Sequence, residues 1–408
     1  MRVEPETDAF EPIVRGITQN GVRLANERAV LTLIAGRPGV SNADIARRSG
    51  LGPQTTARIL AELETRELIL RGDVLRGRRG QPATPYRLNP RGGYSLGVEI
   101  GWQHFEVLLQ DMTGQLVAAT RRCYPYPYPD PDTVFAAVAT DVGTLLAGLT
   151  PEQSSRLAGI GVTSPGHFGP LLDRLGAPEG LAARWAKVDF AEQLAGVTNL
   201  PTMWVNSGSA AAWREITVHP TPRPMGLASI FVSTFVAGGV VSGGSLLEGP
   251  HGNAGDVGAI IVHDRSGGPA NLHLVASLHA LAQRVAAAGL PTPEGPALKW
   301  NWAELESHVA AWLEDAGHAL AQAVLTTAAM SEVDLVCLNG DLPDAIRARL
   351  VESTLRHLAR LPVLLAHPPR VVAGKAGPSA AVYGAAQLLL FRRYFSRAWE
   401  LFEAEPAK

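Results

Sequence analysis

The stretch Ser95-Leu96-Gly97-Val98-Glu99-Ile100-Gly101, continued by Phe105 to Leu109, Asp111-Met112-Thr113-Gly114 and Leu116 to Ala119, decides the fold. Leu96, Val98 and Ile100 alternate with other residues at the two-residue period of a strand. Phe105 to Leu109 is a second strand, Asp111 to Gly114 has turn chemistry, and Leu116 to Ala119 is a third strand. Together they predict an antiparallel three-strand meander. A similar unit returns about 135 residues later: Ser229 to Val236, then Gly238 to Val241, then Gly243 to Leu247 read as strand, tight turn, strand, turn, strand. Two such units, each followed by helical and strand patterns, predict a duplicated α/β body with a ligand cleft between its halves.

Upstream, Leu88-Asn89-Pro90-Arg91-Gly92-Gly93 punctuates the chain and marks a boundary. Asn26 to Leu70 ahead of it is helical in period. Ala29, Val30, Leu33 and Ile34 form an apolar stripe that stops at Gly36-Arg37-Pro38-Gly39. Ser41 precedes Asp44-Ile45-Ala46 as a helix start, and Gly50 ends that helix. Pro53 then stands where a first helical residue should, and Thr56, Ile59, Leu60 and Leu63 line one face. Gln54, Thr55 and Arg58 share the opposite face, near the end that enters a major groove. Leu68 to Leu70 with Val74-Leu75, across Arg71-Gly72-Asp73, read as a short wing. The strap Arg76-Gly77-Arg78-Arg79-Gly80-Gln81-Pro82 follows, glycine-broken and without matching acids. Arg78, Arg79 and Gln81 there suit phosphates or a narrow minor groove. A three-helix structural module is the plainer alternative, and the strap argues against it.

The chain has 408 residues, 46% hydrophobic and 18% charged, with a net charge of −2. That length and apolar content predict two or three globular domains and exclude disorder for most of the chain. Residues 1–92 hold 15 Arg against 10 Asp and Glu, a net +5, so the remainder carries −7. A basic front on an acidic body fits an attached nucleic-acid-binding module. With no long apolar run and no signal layout, a cytoplasmic protein without a membrane partner is expected. Cys123 and Cys337 alone support neither a disulfide framework nor a multi-cysteine zinc site.

From about Asn26 to Leu390 the chain resembles the ROK family, which groups bacterial repressors with sugar kinases. The resemblance rests on Ala43-Asp44-Ile45-Ala46-Arg47, the strap, Gly97-Val98-Glu99-Ile100-Gly101, Gly161-Val162-Thr163-Ser164-Pro165-Gly166, Pro178-Glu179-Gly180, Val205 to Ala212, Gly252-Asn253-Ala254-Gly255-Asp256-Val257-Gly258 and Gly384-Ala385-Ala386, in that order. It implies an α/β protein: an N-terminal all-α winged helix-turn-helix followed by a duplicated actin-like (ribonuclease H-like) body.

The departures from the family pattern carry most of the functional reading. Family kinases begin the first meander with Asp-x-Gly-Gly-Thr, whereas here Glu99-Ile100-Gly101-Trp102-Gln103 puts an indole where backbone should approach phosphate. The second phosphate loop reads Thr234-Phe235-Val236-Ala237-Gly238 and lacks the family's glycines. Ser207 stands at the kinase base position, and loss of such a base typically costs about 10²–10⁴ in rate. Ala259 follows Gly258 where the family has a zinc-binding His. Asp264 to His279 has no cysteine, so His263, His273 and His279 are not expected to bind metal. Glu179, Asn206, Ser207 and Asp256 occupy the positions that hold sugar in the family. They either line a polar pocket for a small ligand, or Glu179 and Asp256 merely cap loops and pair with arginines.

Tyr124 to Pro129 reads as an extended linker rather than a docking strip. Trp300, Trp302 and Trp312, in a helical stretch from Leu298 to Leu325, read as packing or interface aromatics before sugar-stacking ones.

The expected organisation is a flexible arm over residues 1–25, a winged helix-turn-helix with strap over 26–91, a first half over 92–200 joined by a C-terminal helix 380–400, and a second half over 201–379. The expected function is a DNA-binding transcriptional regulator of ROK type, a repressor, that is not an enzyme and needs no cofactor. Its expected partners are a double-stranded DNA operator, a small sugar-like effector and further copies of itself, as a dimer or tetramer. The alternatives are a sugar kinase carrying a DNA-binding module, and a body that serves only as a ligand-independent dimerisation scaffold.

Overall fold

The computed structural model describes residues 19–73, 84–124, 130–166 and 168–395. The described residues open with α1 (Gln19–Gly36), β1 (Val40–Ser41), α2 (Asn42–Ser49), α3 (Pro53–Thr65), β2 (Ile69–Arg71) and β3 (Pro85–Leu88). Each helix start has a local cause. Ser41 accepts from the Asp44 amide at 3.2 Å, and Pro53, with its fixed φ, begins α3. The module closes over Val30, Leu31, Ile34, Ile45, Ile59, Leu60 and Leu63. One expectation changes here. α1 covers Gln19–Gly36, so residues 19–25 are helical rather than part of an arm. The wing strand β2 pairs antiparallel with Pro85–Leu88, where Tyr86 and Leu88 supply the apolar contacts that a short ribbon needs, and the expected partner Val74-Leu75 lies outside the described residues.

The first half comprises β4 (Tyr94–Ile100), β5 (His104–Asp111), β6 (Leu116–Cys123), α4 (Pro131–Ala147), α5 (Pro151–Ser155), β7 (Leu157–Ser164), α6 (Phe168–Leu172), α7 (Leu181–Trp185), α8 (Phe190–Thr198) and β8 (Thr202–Asn206). Its sheet runs β6-β5-β4-β7-β8, antiparallel through the expected meander and parallel from β4 onward. β4 and β7 are buried on both faces and rich in Val, Ile and Gly, as parallel strands require. β8 pairs with β7, so this sheet extends past residue 200.

The second half follows with α9 (Ser207–Val218), β9 (Gly226–Val232), β10 (Val236–Ser242), β11 (Ser245–Leu246), β12 (Ile261–His263), β13 (Pro269–Asn271), α10 (Leu272–Val275), α11 (Leu278–Ala287), α12 (Glu306–Ser331), β14 (Leu335–Gly340), α13 (Asp344–Leu358) and β15 (Arg370–Ala373). Its sheet order, β11-β10-β9-β14-β15, repeats the first, a meander extended by parallel strands. The expected strand Ser229–Val236 is interrupted. It ends at Val232, and the turn is Ser233-Thr234-Phe235, where the Ser233 hydroxyl donates to the Phe235 carbonyl at 2.8 Å. Gly238 and Gly239 lie inside β10 rather than in a turn, because a Cβ on Gly239 would stand 2.6 Å from the Ser209 Cα at the head of α9.

Helix α14 (Ala380–Tyr394) returns to the first half and packs on β4, β7 and α9. A Cβ on Gly384 would lie 1.8 Å from the Ala210 carbonyl, and one on Gly161 would lie 2.2 Å from the Ala385 carbonyl. The small residues therefore let this helix press onto backbone. It ends at Tyr394, and the rest of the expected helix 380–400 lies outside the described residues from 396 onward. Phe391, Tyr394 and Phe395 at its end join the core of the winged-helix module. Trp312 is buried in α12, whereas Trp300 and Trp302 precede that helix and pack on the same core. Of the linker Tyr124 to Pro129, only Tyr124 is described.

Candidate functional site

On α3 the buried face is Thr56, Ile59, Leu60 and Leu63, which leaves Gln54, Ala57, Arg58 and Ala61 exposed on the other side at helical spacing. Thr55 is half-buried beside them. Arg58 is not free: its Nη1 donates to Glu62 Oε1 at 2.7 Å, and Arg23 lies 3.8 Å from the same carboxylate. Arg78, Arg79 and Gln81 lie outside the described residues, in the segment that connects β2 to β3.

The cleft between the two halves encloses about 550 Å³. Asn206, Ser207 and Asp256 line it, whereas Glu179 is exposed and is not among its lining residues. Asn206 caps α9, its Oδ1 accepting from the Gly208 amide at 2.8 Å, while its Nδ2 donates to Asn253 Oδ1 at 2.6 Å. Asn253 in turn donates to Asp256 at 3.3 Å, and Asp256 stands 4.0 Å from the buried His273 imidazole. One polar chain therefore links the two halves along the cleft wall. Sequence reasoning placed Asn253 only in a family motif and His273 only among histidines not expected to bind metal, and the fold brings both beside Asn206.

At the phosphate-loop positions the cleft is filled by rings. Trp102, from the β4–β5 turn, stacks on Phe168 with centroids 4.8 Å apart and meets Phe235, from the β9–β10 turn, edge to face at 4.9 Å. Phe235 is 2% exposed and also packs against His279. Glycines there would leave backbone amides open to an anion, and these rings cover that space.

The cleft floor carries charge that sequence reasoning missed. Glu99 and Glu106 face each other across β4 and β5, Glu106 pairs with Arg121 at 3.3 Å, and Asp341 joins them from the end of β14. Burial first, then the Glu106 and Asp341 charges, pushes Glu99 up to about 8. Burial likewise raises Asp341 to about 6, while burial and then Arg121 lower His104 to about 3. At neutral pH Glu99 thus holds its proton and His104 is neutral. Ser379, just before α14, donates to Glu106 at 2.9 Å and ties that helix to the floor.

Two groups among the described residues have metal-ligand atoms within 4.8 Å of one another: Glu99, His104 and Glu106, and Glu215, His219 and Cys337. In the first, Arg121 already stands at 3.3 Å from Glu106 and 3.4 Å from His104. In the second, Glu215 already accepts from the Lys375 and Ala376 amides and from Asn339 Nδ2. The second is an internally satisfied network, whereas in the first Glu99 Oε2 and His104 Nε2 are buried without a hydrogen-bond partner. Burial raises the Cys337 thiol above its ordinary range. No helix among the described residues is long and apolar enough to cross a membrane.

The ROK family profile matches residues 95–391, and a winged helix-turn-helix DNA-binding profile matches residues 23–69. The chain is 29% identical to the uncharacterized protein y4fQ of Sinorhizobium fredii over 374 residues, covering 91% of this chain and 92% of that one. It is 21% identical to the xylose repressor of Bacillus subtilis over 246 residues, covering 60% of this chain and 62% of the repressor. A solved ROK family transcriptional regulator, a homologue of the E. coli MLC protein, superposes with a TM-score of 0.67 at 21% identity, covering 91% of this chain and 97% of that one.

Proposed function

Because the chain belongs to the ROK family, we propose that it is a DNA-binding transcriptional regulator, a repressor, whose body senses a ligand rather than phosphorylating one. The observation that carries this reading is the combination of a winged helix presenting an exposed α3 face with a body whose phosphate-loop space is filled by the Trp102–Phe235 contact. Gln54, Thr55 and Arg58 read bases, and Arg78, Arg79 and Gln81 add groove or phosphate contacts. Two copies reading a two-fold symmetric operator fit this arrangement. Asn206, Ser207 and Asp256 offer hydrogen bonds to a small polar, sugar-like effector, and the exposed Glu179 is set aside from that group. Ser207 has no carboxylate with which to take a proton from a sugar hydroxyl.

The experiment is a binding titration of the purified chain against its own promoter region and a genomic fragment pool at several salt concentrations. A specific complex whose affinity falls linearly with log salt is expected. Absence of any salt-dependent complex would overturn the reading. Nucleotide turnover over common hexoses tests the kinase alternative, and robust turnover lost on Asn206→Ala would revive it.

A further inference from the structure

Between the winged-helix module and the body lies a second cavity, of about 1920 Å³. One wall comes from α1, the α2–α3 turn and β3, the other from the β5–β6 turn, α9 and α14. Its charge is one-sided: Arg47, Arg48, Arg87, Arg214 and Arg223 line it, with no aspartate or glutamate. Guanidiniums gathered around one cavity repel one another, and an anion among them would replace that repulsion with attraction.

Arg47 is held by Asp44 on its own helix. Arg48, Arg87, Arg214 and Arg223 make no ion pair among the described residues. Arg214 is half-buried, with its guanidinium 4.7 Å over the Tyr383 ring and its Nε a buried donor with no acceptor. The adjacent Glu215 forms no ion pair with it, since that carboxylate is fully buried and hydrogen-bonded to Lys375, Ala376 and Asn339. Burial lowers the pKa of Arg214, an effect that Tyr383 and Glu215 only partly offset.

We propose that this crevice is a binding site for a small phosphate-bearing anion, held by Arg214 and Arg223 of the body together with Arg48 and Arg87 of the winged-helix module. Guanidinium forks match phosphate oxygens two at a time. Protein on both sides suits a small molecule rather than a duplex. A ligand touching both walls would also fix the module against the body, since whatever binds one arrangement preferentially stabilises it.

The test is calorimetric and thermal-shift titration of the full chain with pyrophosphate, with sodium chloride at matched ionic strength as control; it needs no DNA and is independent of the DNA-binding reading. Saturable one-to-one binding and a higher Tm are expected with pyrophosphate and not with chloride. Arg223→Gln and Arg214→Gln should each weaken binding about tenfold or more, the scale of a lost charge-assisted contact. If Arg214→Gln does not fold, Arg223→Gln and Arg87→Gln carry the test. No saturable binding above the chloride control, or undiminished affinity in the folded variants, overturns the site. Citrate binding as tightly as pyrophosphate overturns its assignment to phosphate.

Discussion

Trp102 and Phe235 meet edge to face across the cleft, their ring centroids 4.9 Å apart, although they leave equivalent turns of two different sheets. Both are buried, and Phe235 belongs to the core of the half opposite its own strand. The contact therefore works as a rivet between the two halves.

Trp102→Ala and Phe235→Ala should each destabilise the chain by about 3–5 kcal/mol. The double variant should lose less than the sum, by about 0.5–1.5 kcal/mol, if the rings stabilise each other directly. Urea unfolding of the three variants gives the coupling energy, and strict additivity would rule out the rivet.

Gln54→Ala should weaken binding to the preferred operator by about 1–3 kcal/mol while leaving non-specific binding nearly unchanged. Fluorescence anisotropy on operator and scrambled duplexes separates the two. An equal loss on both would place Gln54 on the phosphates instead.

Gly384→Ala pushes a methyl to 1.8 Å from the Ala210 carbonyl at the α9–α14 crossing. Overpacking of this kind typically costs about 1–3 kcal/mol and sometimes more. Gly143, exposed on α4 with nothing within 4 Å of an added Cβ, is the contrast, and Gly143→Ala should stabilise by up to about 1 kcal/mol. Thermal unfolding should move in opposite directions for the two alanines.

The floor carboxylates set a pH dependence. Glu99 titrates near 8 in the folded chain against 4.5 for its ordinary value, so the folded state binds this proton more tightly than the unfolded state. Its contribution is fully present below about 4.5 and is lost as pH rises through 8. Glu99→Gln should therefore raise Tm relative to the parent at pH 8.5 and much less at pH 5, where Glu99 is already neutral. A Tm difference that grows toward acid instead would show that Glu99 is stabilised as an anion.

Part of this molecule is legible in its sequence. The two meanders follow from two-residue apolar alternation, and the α2 and α3 starts from Ser41 and Pro53, because those causes lie within a few residues of their effects. The pairing of β2 with Pro85–Leu88 is not legible locally, because that strand is chosen by cross-strand packing on Ile69, far along the chain. Gly238 and Gly239 read as turn residues in isolation, yet they serve an approach of α9 backbone that no local pattern encodes. Glu179 matched a motif but stands outside the cleft, while Asn253 and His273 complete its polar wall.

The sequence by itself determined the family, the order of winged helix and duplicated body, and the loss of glycines and acid at the kinase positions, since these are matters of residue type and spacing. Only the tertiary structure decided what took their place. The Trp102–Phe235 contact, the protonated Glu99 beside Glu106 and Asp341, and the acid-free arginine crevice under α14 each join residues from separate strands or domains. Ring contact, desolvation and charge repulsion act through space over a few ångströms, so they exist only once the chain has brought those residues together.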